Sequence, residues 1–387
     1  MTFVALRMLF GDRAKYLAIV IGLTFASLLI TQQAGLFVGI MEASYSSVAA
    51  VSLPDVWVMD PEVRFIDDRR PMSDTALQRV RGVTGVEWAV PMFKGIMRAR
   101  LPNGKTEDCQ VIGLDDATLI GGPPRMLEGN LVDLRKSEGV IIDEVTARDK
   151  LGRQHPDDPA LGAQPLRVGD SFELNDRRAT VVGICERIRQ SQGLAVVYTT
   201  YGRAVKYAPY ERRMLTYVLA KAQPGINLER LCEIIRRDTG LAAYTAEGFK
   251  RLTLRFVLQQ TPLAIVFGFV VLMGFVIGVA IAGQTFYAFT VANLPYFGML
   301  KAMGTGTPTL LRMIVTQAFI AGGVGYGIGV GLSTAFGYVM GGGTLAFRMP
   351  WYLFAGSGVA ILLICTTTSI FSMVRVLRLE PAMIFKA

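Results

Sequence analysis

Four stretches without a single Asp, Glu, Lys or Arg constrain this chain more than any other feature. They cover residues 16–41, 256–300, 313–347 and 349–374. Each exceeds the roughly 20 residues that a helix needs to cross a bilayer core of about 30 Å. A long block of ordinary charge density separates the first stretch from the second. The sequence therefore predicts a membrane protein with one span, a large water-exposed domain and three further spans.

The first stretch has a second interpretation, which is a cleaved signal peptide. Its charge-free length is well beyond the usual apolar core of about 7–15 residues. No A-x-A cleavage site stands out where it ends. Both observations favour a retained span.

The formal net charge of +9 predicts topology rather than binding to nucleic acid. Basic and acidic side chains nearly balance within residues 41–260. The basic excess lies at the chain ends and between the second and third apolar stretches, in Arg7, Arg13, Lys15, Lys301, Arg312, Arg375, Arg378 and Lys386. Because short segments rich in Lys and Arg stay in the cytoplasm, these three segments are predicted to be cytoplasmic and the large domain extracytoplasmic.

These patterns predict the following organisation. Residues 1–15 form a cytoplasmic interfacial helix, 16–41 the first span, 42–250 the outer domain, 251–291 a stalk with the second span, 292–309 a cytoplasmic helical loop, 310–340 the third span, 341–350 a short outer loop, 351–374 the fourth span and 375–387 a cytoplasmic tail. Phe3, Leu6 and Phe10 lie near helical spacing beside basic residues. That spacing is typical of an interfacial helix. The alternative, which agrees equally well with the sequence, is that these residues are only a basic flank of the first span.

The outer domain alternates strand-like and helix-like segments, which predicts an α+β fold. Hairpins are expected at Asn103–Gly104 and at Asn175–Asp176, because these pairs tolerate positive φ. Helices are expected at 73–83, 143–152 and 227–240, a strand at 214–222 and a loop at 153–165. Residues 246–260 have no helix breaker before Pro262, so the second span is expected to begin as a rigid helix outside the membrane.

No catalytic set emerges from the sequence. Lys105 follows the glycine of an N-G-K-T stretch, but Ala99 stands where a phosphate loop needs its first glycine. His155, the only histidine, lies in a loop beside Asp157 and Asp158, and such residues are usually solvated. No serine has a G-x-S-x-G environment. We therefore expect that the chain is not an enzyme. We also expect that it binds no metal or cofactor of its own.

The four charge-free stretches also contain no His, whereas proton- or ion-driven transporters normally carry ionisable residues at mid-membrane. The third span is rich in glycine, and no strand precedes it as a dinucleotide loop would require. Gly325 and Gly329 are therefore expected to pack helix against helix, within the chain or between two copies. Four scattered cysteines, Cys109, Cys185, Cys232 and Cys365, are expected to be small buried apolar residues.

The stretch NLPYFGMLKAMGTGTP, residues 293–308, interrupts two apolar stretches. Pro295 suits the first turn of a helix, and Gly304 suits the left-handed position that ends one. Such a helix is expected to expose Phe297, Met299, Leu300 and Met303 to a partner. An ordinary tight loop between spans is the alternative.

These residues resemble the FtsX/MacB-type permeases of ABC systems, and within them the DevC-like subgroup. MGFVIGVAIAGQTFYAFTVANLPYFGMLKAMG, residues 273–304, is similar to that subgroup's second span and coupling helix, and EPAMIFKA at 380–387 is similar to its ending. The resemblance implies that an ATPase docks at Leu294, Pro295, Tyr296, Phe297, Gly298, Met299, Leu300, Lys301, Ala302, Met303 and Gly304. The family usually has Glu where this chain has Tyr296, which leaves a charge-paired contact there in doubt.

The resemblance also implies a homodimer in a bacterial inner membrane, with two ABC ATPase subunits that bind the ATP. A periplasmic membrane-fusion adaptor, an outer-membrane duct and export of lipid-like molecules are typical of the DevC-like branch. The alternative is an FtsX-like signal relay, which would regulate an extracytoplasmic enzyme without transport.

Overall fold

The structure is a computed structural model that describes residues 2–154, 163–188, 193–209, 214–341 and 346–377. The chain divides into two compact units. The helical unit contains Met1–Ile40 and Pro262–Ala387, and the sheet domain contains Met41–Thr261.

Among the described residues, six helices belong wholly or partly to the helical unit. They are α1 (Thr2–Gly11), α2 (Arg13–Ala49), α7 (Leu263–Ala292), α8 (Leu294–Ala302), α9 (Thr307–Gly341) and α10 (Trp351–Leu377). Within the described residues, four segments are long and apolar enough to cross a membrane: Arg13–Ala49, Leu263–Ala292, Thr307–Val339 and Trp351–Met373. The four predicted spans are thereby confirmed.

The sheet domain is an α+β domain, as predicted. Its strands are β1 (Val56–Met59), β2 (Val86–Arg100), β3 (Thr106–Leu114), β4 (Met126–Glu128), β5 (Gly139–Asp143), β6 (Arg153–Gln154), β7 (Ala163–Gln164), β8 (Ser171–Leu174), β9 (Arg177–Cys185), β10 (Ala195–Thr200), β11 (Tyr217–Ala222) and β12 (Ala242–Thr245). Its helices are α3 (Thr75–Arg81), α4 (Tyr201–Tyr207), α5 (Leu228–Thr239) and α6 (Ala246–Gln260).

Ten of these strands form one mixed sheet in the order β12-β1-β11-β2-β3-β10-β5-β9-β4, with β8 paired to β2 and β9. The β10–β3 and β5–β9 pairs are parallel, and the others are antiparallel. Strand β1 is buried on both faces: Trp57 and Met59 join one apolar cluster, whereas Val56 and Val58 join another. Alternating side chains of one strand therefore contribute to two cores.

Local turn and cap chemistry follows the sequence. Asn175 and Asp176 connect β8 to β9 with φ of 47° and 61°. In the β2–β3 turn, Gly104 takes the left-handed conformation with φ 82°. The Asn227 side chain accepts hydrogen bonds from the backbone N–H groups of residues 229 and 230, and Gly240 ends α5 with φ 67°. The predicted hairpins and this predicted helix are confirmed.

The expected helix into the second span is broken. Helix α6 ends at Gln260, and α7 begins at Leu263. Pro262 lacks a backbone N–H, and its ring disfavours helical backbone at Thr261, which has φ −113° and ψ 148°. The helix predicted over residues 246–260 is therefore confirmed, whereas the expected rigid connection to the second span is interrupted at Thr261 and Pro262.

Aromatic contacts attach α6 to the rest of the sheet domain. Phe256 stacks on Phe65 with ring centroids 4.5 Å apart, and Phe249 packs against Trp57 and Tyr217. Since Phe249, Trp57 and Tyr217 are fully buried, α6 is part of this domain's core.

A buried ion pair lies near that core. The Lys94 ammonium group is 2.7 Å from an Asp67 carboxylate oxygen and also donates to the Ile66 carbonyl at 3.3 Å. The Tyr217 hydroxyl donates to the same carbonyl oxygen at 2.7 Å. Burial lowers the pKa of the Lys94 amine, and the charge of Asp67 opposes that shift.

The four cysteines are free and buried, as expected. Burial raises the pKa of both Cys109 and Cys185 to about 12 and that of Cys232 to about 11. These thiols are therefore protonated at neutral pH. His155, Asp157 and Asp158 lie outside the described residues; the ends of their predicted loop pair as β6 and β7.

Candidate functional site

Helix α8 has a defined beginning and end. Pro295 lies in its first turn, and the Asn293 backbone carbonyl accepts from the N–H groups of Tyr296 and Phe297. At the other end Gly304 has φ 91°. Its N–H donates to the carbonyl of Lys301, and the N–H of Thr305 donates to that of Leu300. These two bonds form a Schellman motif, so the stretch is a capped helix rather than an irregular loop.

Burial divides the residues of α8 into two groups. Phe297 is 1% exposed and belongs to the same buried apolar cluster as Leu9 and Ile314. The expectation that Phe297 is exposed is therefore wrong, because its ring fills this core. Gly298 is buried too, whereas Leu294, Leu300 and Lys301 are half-buried.

The outer face of α8 is apolar. Tyr296, Met299 and Met303 are 55%, 47% and 75% exposed, and Pro295, Ala302 and Gly304 are exposed as well. This outer face, with half-buried Leu300 at its edge, is the surface that a docking partner would meet.

Helix α1 lies beside α8 and shares a cavity with it. The cavity has a volume of about 450 Å³ and is lined by Val4, Met8, Tyr296, Met299, Leu300 and Met303, with Ala302. Helix α1 was not among the residues predicted to form the site. The available signal was the pair Val4 and Met8, which the four-residue spacing places on one helical face.

A second, polar cavity adjoins the first and has a volume of about 840 Å³. It shares Val4, Met8 and Tyr296 with the apolar cavity, and three basic side chains are among the other residues that line it. They are Arg7, Arg13 and Lys15.

Asp12 also lines this polar cavity. Its carboxylate is 2.7 Å from the Lys15 ammonium group, and hydrogen bonding to Lys15 lowers the pKa of Asp12. The Arg7 guanidinium lies 5.1 Å from the centroid of the Phe3 ring. The polar cavity is therefore predominantly basic.

Gly325 and Gly329 lie on α9 where it meets α2. A Cβ at Gly325 would be 2.7 Å from the Leu23 Cβ, and one at Gly329 would be 2.6 Å from the Ser27 Cβ. The Ser27 hydroxyl donates to the Tyr326 carbonyl at 3.3 Å. Both glycines thus permit close approach of two helices within one chain.

The described residues form no metal site. No group of three or more His, Cys, Asp or Glu residues could hold a metal ion among them. The N-G-K-T stretch lies in the β2–β3 turn, where the Lys105 amine donates to the Lys150 carbonyl.

Comparison with known structures gives many similarities, of which three are described. The extracellular domain of the ABC-type transporter YknZ from Gram-positive bacteria is 13% identical, with a TM-score of 0.34 over 50% of this chain and 99% of that one. The periplasmic region of MacB from Actinobacillus actinomycetemcomitans is 14% identical, with a TM-score of 0.36 over 53% and 94%. A domain of a putative permease from Porphyromonas gingivalis is 17% identical, with a TM-score of 0.30 over 51% and 88%.

Two protein families match the chain and identify the family to which it belongs. The MacB-like periplasmic core domain matches residues 16–237, and the FtsX-like permease C-terminal region matches residues 241–381. Permeases of this family work with ABC ATPases, often as dimers. The sheet domain with its mixed sheet, the four apolar helices and these two matches together show that the chain belongs to the FtsX/MacB-type permeases of ABC transporters.

Proposed function

We propose that this chain is the permease subunit of an ABC exporter whose separate ATPase docks on α8 in the cytoplasm. The main support for the proposal is the geometry of α8. This helix has Pro295 in its first turn and ends in a Schellman motif, and its buried Phe297 leaves Tyr296, Met299 and Met303 exposed. A rigid helix between two spans transmits force from a bound subunit better than a flexible loop does.

The proposed cycle is mechanical. Two copies of the chain lie in the inner membrane, and each binds one ATPase subunit. Both termini of each chain lie in the cytoplasm, and the sheet domain lies in the periplasm. ATP-driven closure of the ATPases moves the paired α7 helices, and this motion reaches the sheet domains. The absence of Asp, Glu, Lys, Arg and His from the four charge-free stretches supports a mechanical role over an ion pathway.

The proposed cargo is lipid-like or amphiphilic, and a periplasmic adaptor with an outer-membrane duct is its proposed route. The support is the resemblance of residues 273–304 to the DevC-like subgroup. That subgroup assignment remains a prediction.

Docking is tested by purifying the tagged full chain in detergent from the cells in which it naturally occurs, together with any ABC ATPase that binds it. A stable complex with the ATPase is expected, and Met299→Asp and Met303→Asp are expected to abolish it. Phe10→Asp is the matched control, because Phe10 is exposed but lies outside the apolar cavity. Retention of the ATPase by both α8 variants would refute docking on α8.

Export is tested separately with the complex in proteoliposomes. ATP-dependent movement of a fluorescent lipid is expected, and a complex with a Walker-B-inactive ATPase is the control. ATP hydrolysis without movement of any lipid or amphiphile tested would instead support the signal relay.

A further inference from the structure

Helix α1 is fixed to the helical unit by one face. Ala5 and Leu9, one turn apart, have no exposed surface and belong to the same core cluster as Phe297. The Gln317 side chain of α9 donates a buried 2.8 Å hydrogen bond from Nε2 to the Ala5 carbonyl oxygen. A basic flank that served only to orient the first span would need no such contacts. They give the other faces of α1 a defined direction.

The face of α1 next to α8 is one wall of an apolar groove. Val4 and Met8 line this wall, and Met299, Leu300 and Met303 line the opposite one. Among the described residues that line the groove, Tyr296 alone contributes a polar side-chain atom. Apolar surface of this kind on an exposed helix pair marks an interaction site.

The charge beside the groove indicates what can occupy it. The polar cavity that shares Tyr296 with the groove is lined by Arg7, Arg13 and Lys15, and the carboxylate of Asp12 is bonded to Lys15. An occupant that spans both cavities therefore needs an apolar anchor with acidic groups next to it.

We infer that the ATPase docks in this composite groove rather than on α8 alone. An apolar side chain of the ATPase inserts between α1 and α8, and acidic side chains of the same subunit face Arg7 and Arg13. The inference rests on the proposed function, since a subunit that covers the outer face of α8 also covers the mouth of the groove.

Tyr296 lies at the boundary between the apolar and the basic cavity. A glutamate there would place a negative charge beside the incoming carboxylates, and a tyrosine does not. Tyr296→Glu is therefore expected to weaken ATPase binding, whereas Tyr296→Phe is expected to leave it within about twofold of wild type.

The affinity test uses the full chain in nanodiscs and the ATPase that co-purifies with it. Val4→Asp and Met8→Asp are each expected to raise the Kd about tenfold or more. Arg7→Glu is expected to weaken binding more at low salt than at high salt. Arg312→Glu and Phe10→Asp are the matched controls. Both residues are exposed and line neither the groove nor the polar cavity, so no change in Kd is expected.

Failure of the inference differs from failure of the proposed function. If Met299→Asp abolishes binding while Val4→Asp and Met8→Asp bind as wild type, docking on α8 stands and the composite groove is refuted. If all three variants bind as wild type, both are refuted.

A photocrosslinking test does not depend on the stability of charged variants. With p-benzoylphenylalanine at Val4 or at Met299, covalent adducts with the ATPase are expected from both positions. The same amino acid at Phe10 is expected to give none. Adducts of the Val4 position with lipid alone would mean that a lipid occupies the groove, and would overturn the inference.

Discussion

At the scale of single residues, burial separates side chains that look alike in the sequence. Phe297 and Met303 are large apolar residues of the same short helix, yet one is enclosed in the core and the other is open to solvent. A buried ring stabilises the fold through the surface it removes from water. An exposed side chain contributes little to folding and is available to a partner.

Phe297→Ala is therefore expected to destabilise the helical unit by about 3–5 kcal/mol through loss of packing and a new cavity. Met303→Ala is expected to change stability by less than about 0.5 kcal/mol. Thermal unfolding of the full chain in detergent measures both. Equal midpoints for the two variants would show that α8 does not depend on this ring.

A second prediction at this scale concerns the contribution of the Lys94–Asp67 ion pair to stability. Asp67→Asn leaves a buried ammonium group without its counter-charge and is expected to destabilise the sheet domain by about 3–5 kcal/mol. Replacing both residues, by Lys94→Met with Asp67→Leu, is expected to recover most of that loss. Chemical denaturation followed by tryptophan fluorescence provides the comparison. A double variant as unstable as Asp67→Asn would contradict the argument.

At the scale of elements, the glycines of α9 differ according to the face of the helix on which they lie. Gly325 and Gly329 meet α2, whereas an added Cβ at Gly323, Gly327 or Gly331 would meet nothing within 4 Å. The close contacts need the missing side chain, and the open positions do not. In a bilayer such contacts matter because lipid is as apolar as the helices are, so association depends on packing.

Gly329→Ala is accordingly expected to lower the midpoint of thermal unfolding, because its Cβ would lie 2.7 Å from the backbone oxygen of Thr24. Overpacking of this kind costs about 1–3 kcal/mol. Gly327→Ala, two residues away, is the control and is expected to leave the midpoint unchanged or slightly raised. Fluorescence-detected size exclusion after heating in detergent follows both variants, and equal losses would argue against the α2–α9 contact.

At the scale of the whole molecule, the sheet domain has the features of an independent folding unit. It contains its own buried apolar clusters, one of them built around Trp57, Tyr217 and Phe249. Its ion pair, its hairpins and its helix caps are all internal to residues 41–261. A domain of this size has enough interior to be stable alone.

Residues 41–261 produced alone are expected to be soluble and to unfold in one cooperative transition. Circular dichroism during urea denaturation and size-exclusion chromatography test this expectation. A broad, non-cooperative transition would show that the domain requires the helical unit in order to fold.

Several features could be predicted from the sequence because their causes are local. The left-handed turns at Asn175, Asp176 and Gly304 follow from residue types that tolerate positive φ. Other features depend on distant residues. Nothing near β10 indicates that it pairs in parallel with β3, and nothing near Lys94 identifies Asp67 as its partner.

The candidate site likewise has features that could be predicted from local sequence and features that could not. The sequence located α8 and its caps, but it placed Phe297 on the wrong face and did not include α1. In a chain segment that is apolar on every side, periodicity does not show which face is inside, because neither face is marked by polar residues.

By itself, then, the sequence determined the four spans, the inserted α+β domain and the limits of α8. A bilayer selects long charge-free helices whatever their neighbours are, and caps act within a few residues. Only the tertiary structure decided which side of α8 is buried, which glycines meet α2, and that Val4 and Met8 face α8 across a groove. Those outcomes depend on contacts between residues far apart in the chain, whose free energy exists only once the helices have packed.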